Sequence, residues 1–235
     1  MPRSHVRRSC AALSLFVVLL LLGGGPSSAQ AAPAPITPFL DGVLGSVDDY
    51  WHETQAAAGR PAPSVLHSWV VPGAQVDSAC GVPAGDDAAF YCPVDDTIYV
   101  GQAFASALYD GVFEGLPGQK AGYGKAAGDF AVAYVVAHEY AHNVQEEAGL
   151  LAGRTRALPT ELNADCLAGT WARWEYGKGK LTDADVQEAL DAALAVGDFD
   201  YFNPQHHGTP KERHDALQTG MQSTSTSACD QYLQR

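Results

Sequence analysis

The run His138-Glu139-Tyr140-Ala141-His142 has the pattern H-E-x-x-H. Four residues advance a helix by about one turn, so both imidazoles project from one face and can share a zinc ion. The glutamate beside the first histidine then reaches the water that the metal activates rather than the metal itself. That chemistry is hydrolysis of an amide or peptide bond, with Glu139 as the base. Two hydrogen-bonded core histidines are the bland alternative, so the flanking sequence has to decide.

Upstream, Gly128 to Ala137 is an apolar run with no proline or interior glycine, continuing through His142 to about Glu147. It predicts a largely buried helix of about five turns ending near Gly149. Polar groups buried in such a segment need partners. Downstream, Pro159 precedes a second helix beginning Thr160-Glu161-Leu162-Asn163-Ala164-Asp165. Glu161 and Asp165 share a face. A catalytic zinc takes three protein ligands and keeps one position open, so Glu161 is a suitable third ligand. Asp165 can accept the free N–H of a ligating histidine and fix its tautomer. A solvated face of an amphipathic helix is the alternative for the pair, but Leu162, Cys166, Leu167 and Trp171 make the rest of the segment apolar. A third region, Asn203 to Arg213, contains a helix start with Thr209 as N-cap, Pro210 at the first helical position and Glu212 closing a capping box. His207 lies just before it, where a rigid helix can aim it at a neighbouring site. Packing beside a helix end is the alternative for that histidine.

The stretches AYVVAHEYAHNVQ, ELNADCLAGTWA and HGTPKER resemble three signature blocks of the neutral zinc metallopeptidases of bacteria, within the gluzincin-like proteases. The segment from Ala79-Cys80-Gly81 to Phe90-Tyr91-Cys92-Pro93 resembles a further Cys-Gly … Phe-Tyr-Cys-Pro block of that family. The likeness covers roughly residues 76 to 221 in colinear order. It implies His138, His142 and Glu161 as zinc ligands and Glu139 as catalytic base. The chain departs from the pattern at Tyr140-Ala141, where a small aliphatic residue and glycine are expected, and at Asn163, where glutamine is expected. None of these is a proposed ligand.

Residues 1–31 carry Arg3, Arg7 and Arg8, then an apolar run from Ala11 to Leu22, then Ala29-Gln30-Ala31. These are the three parts of a secretory signal peptide cleaved near Ala31. The apolar run is too short to span a bilayer, and no stop-transfer pattern follows it. The remaining chain of about 204 residues is long enough for one domain with a sizeable core. Loss of the three arginines leaves 11 basic against 27 acidic side chains, a net charge near −16. Such a surface repels nucleic acid and anionic lipid.

Four cysteines then remain: Cys80, Cys92, Cys166 and Cys229. An even number in an exported chain points to two disulfides, with three pairings possible. Cys80–Cys92 would close a short loop and leave Cys166–Cys229 to tie the C-terminal tail to the helix bearing Glu161; a buried free thiol at Cys166 is the alternative. No C-x-x-C spacing suggests a structural zinc–thiolate site. Elsewhere, Phe39, Leu40, Val43, Leu44, Val47 and Trp51 recur at helical spacing and predict a helix over 37–58. Ser64–Val71 and Thr97–Gly101 read as short strands, the second as an edge strand able to hold an extended peptide. Thr182-Asp183 starts another helix that stops at Gly197. His52, His67 and His214 have no metal-ligand spacing.

Together these features predict an α+β, zincin-like fold in which the HExxH helix and the Glu161 helix pack beside a small sheet with an edge strand. The domain plan is a signal peptide at 1–31, a lead-in and helix at 32–75, a zinc metallopeptidase domain at 76–221 and a tail at 222–235. The function expected is that of a secreted, monomeric zinc endopeptidase with one Zn2+ per chain. Its substrate is a peptide or protein, with no nucleic-acid partner and no stable membrane insertion after signal cleavage. His207 is the candidate for stabilising the oxyanion, and Arg213 positions Asp or Glu side chains. Two other readings are a zinc amidase acting on cell-wall peptides and a catalytically silent zinc-stabilised binding protein.

Overall fold

A helix that is apolar on one stripe only lies on a surface, whereas one apolar all round must be enclosed. The chain contains both kinds. The computed structural model describes residues 36–125 and 128–234; the segment read from the sequence as a signal peptide lies outside them. Helix α1 (Thr37–Ala57) buries one stripe, Leu40, Val43, Val47, Tyr50 and Trp51. Strands β1 (Leu66–Val70), β2 (Val76–Asp77), β3 (Pro83–Ala84), β4 (Ala89–Cys92) and β5 (Thr97–Gly101) follow, then the short helices α2 (Gln102–Tyr109) and α3 (Pro117–Lys120). Helices α4 (Asp129–Glu147), α5 (Leu158–Gly177), α6 (Asp183–Val196) and α7 (Pro210–Gln222) complete the bundle, and a 3-10 segment, η1 (Thr226–Gln234), closes the described chain.

Helices α4 and α5 are enclosed. Every residue from Phe130 to Ala141 on α4, and from Pro159 to Ala172 on α5, is buried. α4 stops in a Schellman-type turn: Gly149 adopts φ 70°, and the Leu150 N–H bonds the Gln145 carbonyl at 2.8 Å. α6 and α7 start with reciprocal caps, Thr182 with Asp185 and Thr209 with Glu212. One continuous core joins α1, β4, β5, α2 and α4 through η1. The helix placed before residue 76 and the segment after 222 thus share the core of the intervening chain.

The main sheet has the order β1-β5-β4, with β1 parallel and β4 antiparallel to β5. The sequence reading of Thr97–Gly101 as an edge strand is therefore corrected. β5 is the central strand and all five of its residues are buried. A strand enclosed on both faces needs no polar alternation, and Thr-Ile-Tyr-Val-Gly has little. The edge beside α4 is β4, and β2 pairs with β3 in a separate small ribbon. The disulfides are Cys80–Cys92, which fastens the preceding loop to β4, and Cys166–Cys229, which fastens η1 to α5.

α5 and α7 approach each other backbone to backbone. A Cβ on Gly169 would stand 2.2 Å from the Leu217 carbonyl oxygen, and one on Gly220 would stand 1.9 Å from that of Cys166. Only glycine fits at such a crossing. This contact sets the C-terminal half of α7 against the middle of α5, and one turn into α7 Arg213 reaches Asp165. None of the helices among the described residues is long and apolar enough to cross a membrane.

Candidate metal centre

His138 and His142 lie one turn apart on α4, and Glu161 comes from the first turn of α5. Their ligand atoms converge. His138 Nε2 lies 3.2 Å from His142 Nε2 and 3.2 Å from Glu161 Oε2, while His142 Nε2 lies 3.4 Å from Glu161 Oε1. Tetrahedral zinc with bonds of about 2.0–2.1 Å sets its ligand atoms roughly 3.3 Å apart. The donor set and its spacing fit such an ion. A proton can occupy only one side of the gap between the two Nε2 atoms, whereas a divalent cation serves all three donors at once.

The far nitrogen of each imidazole is held. His138 Nδ1 lies 2.9 Å from Asp165 Oδ1, and His142 Nδ1 lies 2.8 Å from Gln145 Oε1. Asp165 is itself fully buried. Arg213 grips it with two hydrogen bonds, Nε to Oδ2 at 2.6 Å and Nη2 to Oδ1 at 2.7 Å, and the Tyr134 hydroxyl donates to Oδ1 at 2.6 Å. Bidentate pairing of this kind is the geometry at which arginine excels. Arg213 also stands 3.6 Å from Glu161.

The electrostatics favour positive charge at the centre. Burial opposes a charged His138, but the Asp165 charge, with hydrogen bonds to Asp165 and Glu161, outweighs it and pushes the pKa up to about 10. His142 is raised as well, Glu161 overcoming the effect of burial. Burial would lift the Glu161 carboxyl, yet His142 and His138 hold it well below the usual carboxylate range. Asp165 is lowered against its burial chiefly by Arg213.

Glu139, 8% exposed, projects from α4 toward the edge strand, where the backbone N–H of Tyr91 donates to its Oε2 at 2.9 Å. His207 and Arg213 lie in different environments. Arg213 is buried against Asp165, whereas the His207 side chain is half exposed, with Nδ1 3.6 Å from Asp198 Oδ2. The His207 N–H donates to that same oxygen at 3.0 Å. His206 is the buried neighbour, its Nδ1 bonded to Asp198 Oδ1. Among the described residues, no contact links His207 to the three converging side chains.

Sequence reasoning missed Tyr134, Gln145, Asp198 and the Tyr91 N–H. Tyr134 and Gln145 carry a usable signal, since they lie four residues before His138 and three after His142 and so share their faces. Asp198 sits in a loop without periodicity, and a backbone N–H has no signature. A part-exposed trio, Asp129, Asp185 and Glu188, also clusters, but it contains no histidine. A cavity of about 410 Å3 lined by Phe39, Val43, Phe130 and Trp171 contains none of the converging residues.

A helix-borne histidine pair, completed by a glutamate from the next helix and accompanied by the H-E-x-x-H glutamate, is a donor set able to hold a metal ion. The family model described as "Putative neutral zinc metallopeptidase" matches residues 25–232, and the chain belongs to that family. It is 34% identical over 215 residues to the uncharacterized protein Rv2575 of Mycobacterium tuberculosis, covering 80% of this chain and 67% of that protein. It is 29% identical over 242 residues to the uncharacterized protein YpfJ of Escherichia coli, covering 90% of this chain and 79% of that one. No solved structure matches the chain.

Proposed function

We propose that this protein is an exported zinc-dependent endopeptidase with a zincin-like arrangement of helices and edge strand, acting as a monomer with one zinc per chain. The observation that carries the reading is the convergence of His138, His142 and Glu161 beside a glutamate already held in place. When bound, zinc supplies Lewis acidity toward water and the scissile carbonyl. Glu139 takes the proton of the attacking water and returns it to the leaving amine. The Tyr91 N–H keeps its carboxylate from swinging away. Asp165 and Gln145 fix the two imidazoles, and Arg213 fixes Asp165. His207 donates to the oxyanion as charge develops there, with Asp198 anchoring its backbone. An extended peptide would add to β4, the edge strand that meets Glu139. The two disulfides support an oxidising destination, in keeping with the leader pattern. The acidic surface disfavours nucleic acid as a partner.

The test is Glu139→Gln in the zinc-loaded protein, offered a diverse peptide mixture read by mass spectrometry. The variant should keep its zinc and its fold but cleave about 10²–10⁴-fold more slowly, because an amide cannot accept the proton. Equal cleavage by both proteins would remove Glu139 from the mechanism. No cleavage by either would favour a silent zinc-stabilised binding protein.

A further inference from the structure

His142 has to present a lone pair, not an N–H, at Nε2 if it is to bind a metal, and its Nδ1 partner decides which nitrogen keeps the proton. That partner is an amide, which by itself could face either way. The direction is fixed by a chain of buried hydrogen bonds that begins at a group with no choice. The Cys229 carbonyl can only accept, and Asn163 Nδ2 donates to it at 2.9 Å. Asn163 must therefore turn Oδ1 toward Gln145, whose Nε2 donates to it at 2.8 Å. The Thr160 carbonyl accepts from the same Gln145 nitrogen at 2.8 Å, so the Gln145 amide is doubly fixed. Its Oε1 is then left to face His142 Nδ1 at 2.8 Å, where it can only accept. The proton belongs on Nδ1, and Nε2 is the free end.

Every member of this chain except His142 is enclosed: Gln145 and Cys229 are 0% exposed and Asn163 is 2% exposed. The anchor is not held by helix packing alone. Cys229 belongs to η1, a 3-10 segment at the end of the chain, and the Cys166–Cys229 disulfide ties that segment to α5, which carries Asn163 and Glu161.

We infer that the disulfide-clamped C-terminal segment is a positioning device for the metal centre, acting through Asn163 and Gln145 to set the metal-binding tautomer of His142. The inference rests on the reading of His138, His142 and Glu161 as zinc ligands, and it needs no assumption about substrate. Asn163 and Gln145 are positioning residues; neither touches the ion or the reacting atoms. The device predicts coupling. Removing Asn163 takes away one of the two acceptors that fix the Gln145 amide and leaves the Thr160 carbonyl as the other, and removing Gln145 makes the state of Asn163 irrelevant to His142.

The experiment measures zinc affinity of the full-length protein by competition with a chromophoric chelator, with no substrate present. Gln145→Leu should weaken zinc about 10–100-fold, the range for losing the partner of a ligating histidine. Asn163→Leu should weaken it less, and Gln145→Leu with Asn163→Leu should be no worse than Gln145→Leu alone. Cys166→Ser with Cys229→Ser should resemble Asn163→Leu. Thr170→Val, buried on the same helix but outside the chain of bonds, serves as the control and should bind zinc as the wild type does. Circular dichroism of each zinc-free variant shows whether it still folds; the comparison among folded variants of the Asn163–Gln145 cycle decides the matter. Additive losses in the double variant, or a Gln145→Leu affinity within twofold of wild type, would overturn the inference. A wild type that holds no zinc would remove the metal reading itself and this inference with it.

Discussion

The two histidines of the centre sit one turn apart on the same helix, yet they are held by opposite kinds of chemistry. On the His138 side the partner is a carboxylate, Asp165, itself gripped by a buried guanidinium and a phenol. On the His142 side the partner is a neutral amide, Gln145, backed by another amide and by backbone carbonyls. The charged flank exists because glycines let α7 lie against α5 and deliver Arg213 to Asp165. The neutral flank needs no such delivery, since its members come from α4, α5 and the clamped C-terminal segment. Buried charge is held only while every partner is present, and losing one leaves the other uncompensated. A buried amide chain is less demanding: a lost member leaves unsatisfied donors and acceptors but no stranded charge. One flank therefore governs charge and proton affinity; the other governs orientation.

At the ligands themselves the flanks should be equivalent, and this is the largest effect expected. His138→Ala, His142→Ala and Glu161→Ala should each abolish stoichiometric zinc binding, because two protein ligands hold the ion poorly. Elemental analysis of the purified variants checks it. Full zinc in Glu161→Ala would mean that the third ligand lies elsewhere.

One step outward the flanks should part. Arg213→Leu strands Asp165 in the interior and should lower the stability of the zinc-free protein by about 3–5 kcal/mol. Gln145→Leu should lower it by about 1–3 kcal/mol. Urea unfolding followed by circular dichroism measures both. Similar losses from the two variants would erase the distinction between the flanks.

His207 belongs to neither flank and so tests whether holding the metal and doing the chemistry are separable. His207→Ala should lower kcat about a hundredfold with KM little changed and zinc retained, since the contact strengthens only as the oxyanion forms. His206→Ala is the control. That side chain is buried on Asp198, so its loss should appear in thermal stability before it appears in kcat. A damaging His206→Ala alongside a harmless His207→Ala would transfer the role.

The parts of the centre that sequence exposes are those set by helical periodicity. His138, His142, Glu161 and Asp165 fall at intervals of four on two helices, and helix geometry then dictates which faces they share. Gln145 obeyed the same rule but was hidden by the absence of charge. The fold's helices were legible for a similar reason: α1, α4 and α6 have apolar patterns closed by recognisable stops. The sheet was less so. The position of Thr97–Gly101 just before the helices suggests an accessible edge, whereas its nearly unbroken apolarity marks an enclosed strand. β4 escaped notice inside a loop flanked by cysteines. The Tyr91 N–H, the Cys229 carbonyl and Asp198 depend on how distant segments meet, which no local pattern encodes.

The flanks also differ in their response to pH. In the metal-free protein His138 has its pKa pushed from 6.5 up to about 10, against burial, chiefly by Asp165. The raised value means that charged His138 stabilises the metal-free fold fully below about 6.5 and that this stabilisation is lost as pH rises through about 10. Zinc runs the other way, because its binding expels the proton. Affinity should therefore climb with pH between 7 and 9, by about tenfold per unit for each histidine that must give up a proton. The weakening at low pH thus begins well above the ordinary histidine range. Asp165→Asn removes the charge that raises His138 and should flatten the climb, while Gln145→Leu, which alters no charge, should weaken zinc at every pH and leave the slope alone. Chelator competition at several pH values reads both. Parallel slopes in wild type and Asp165→Asn would show that the proton affinity of the centre does not come from the charged flank.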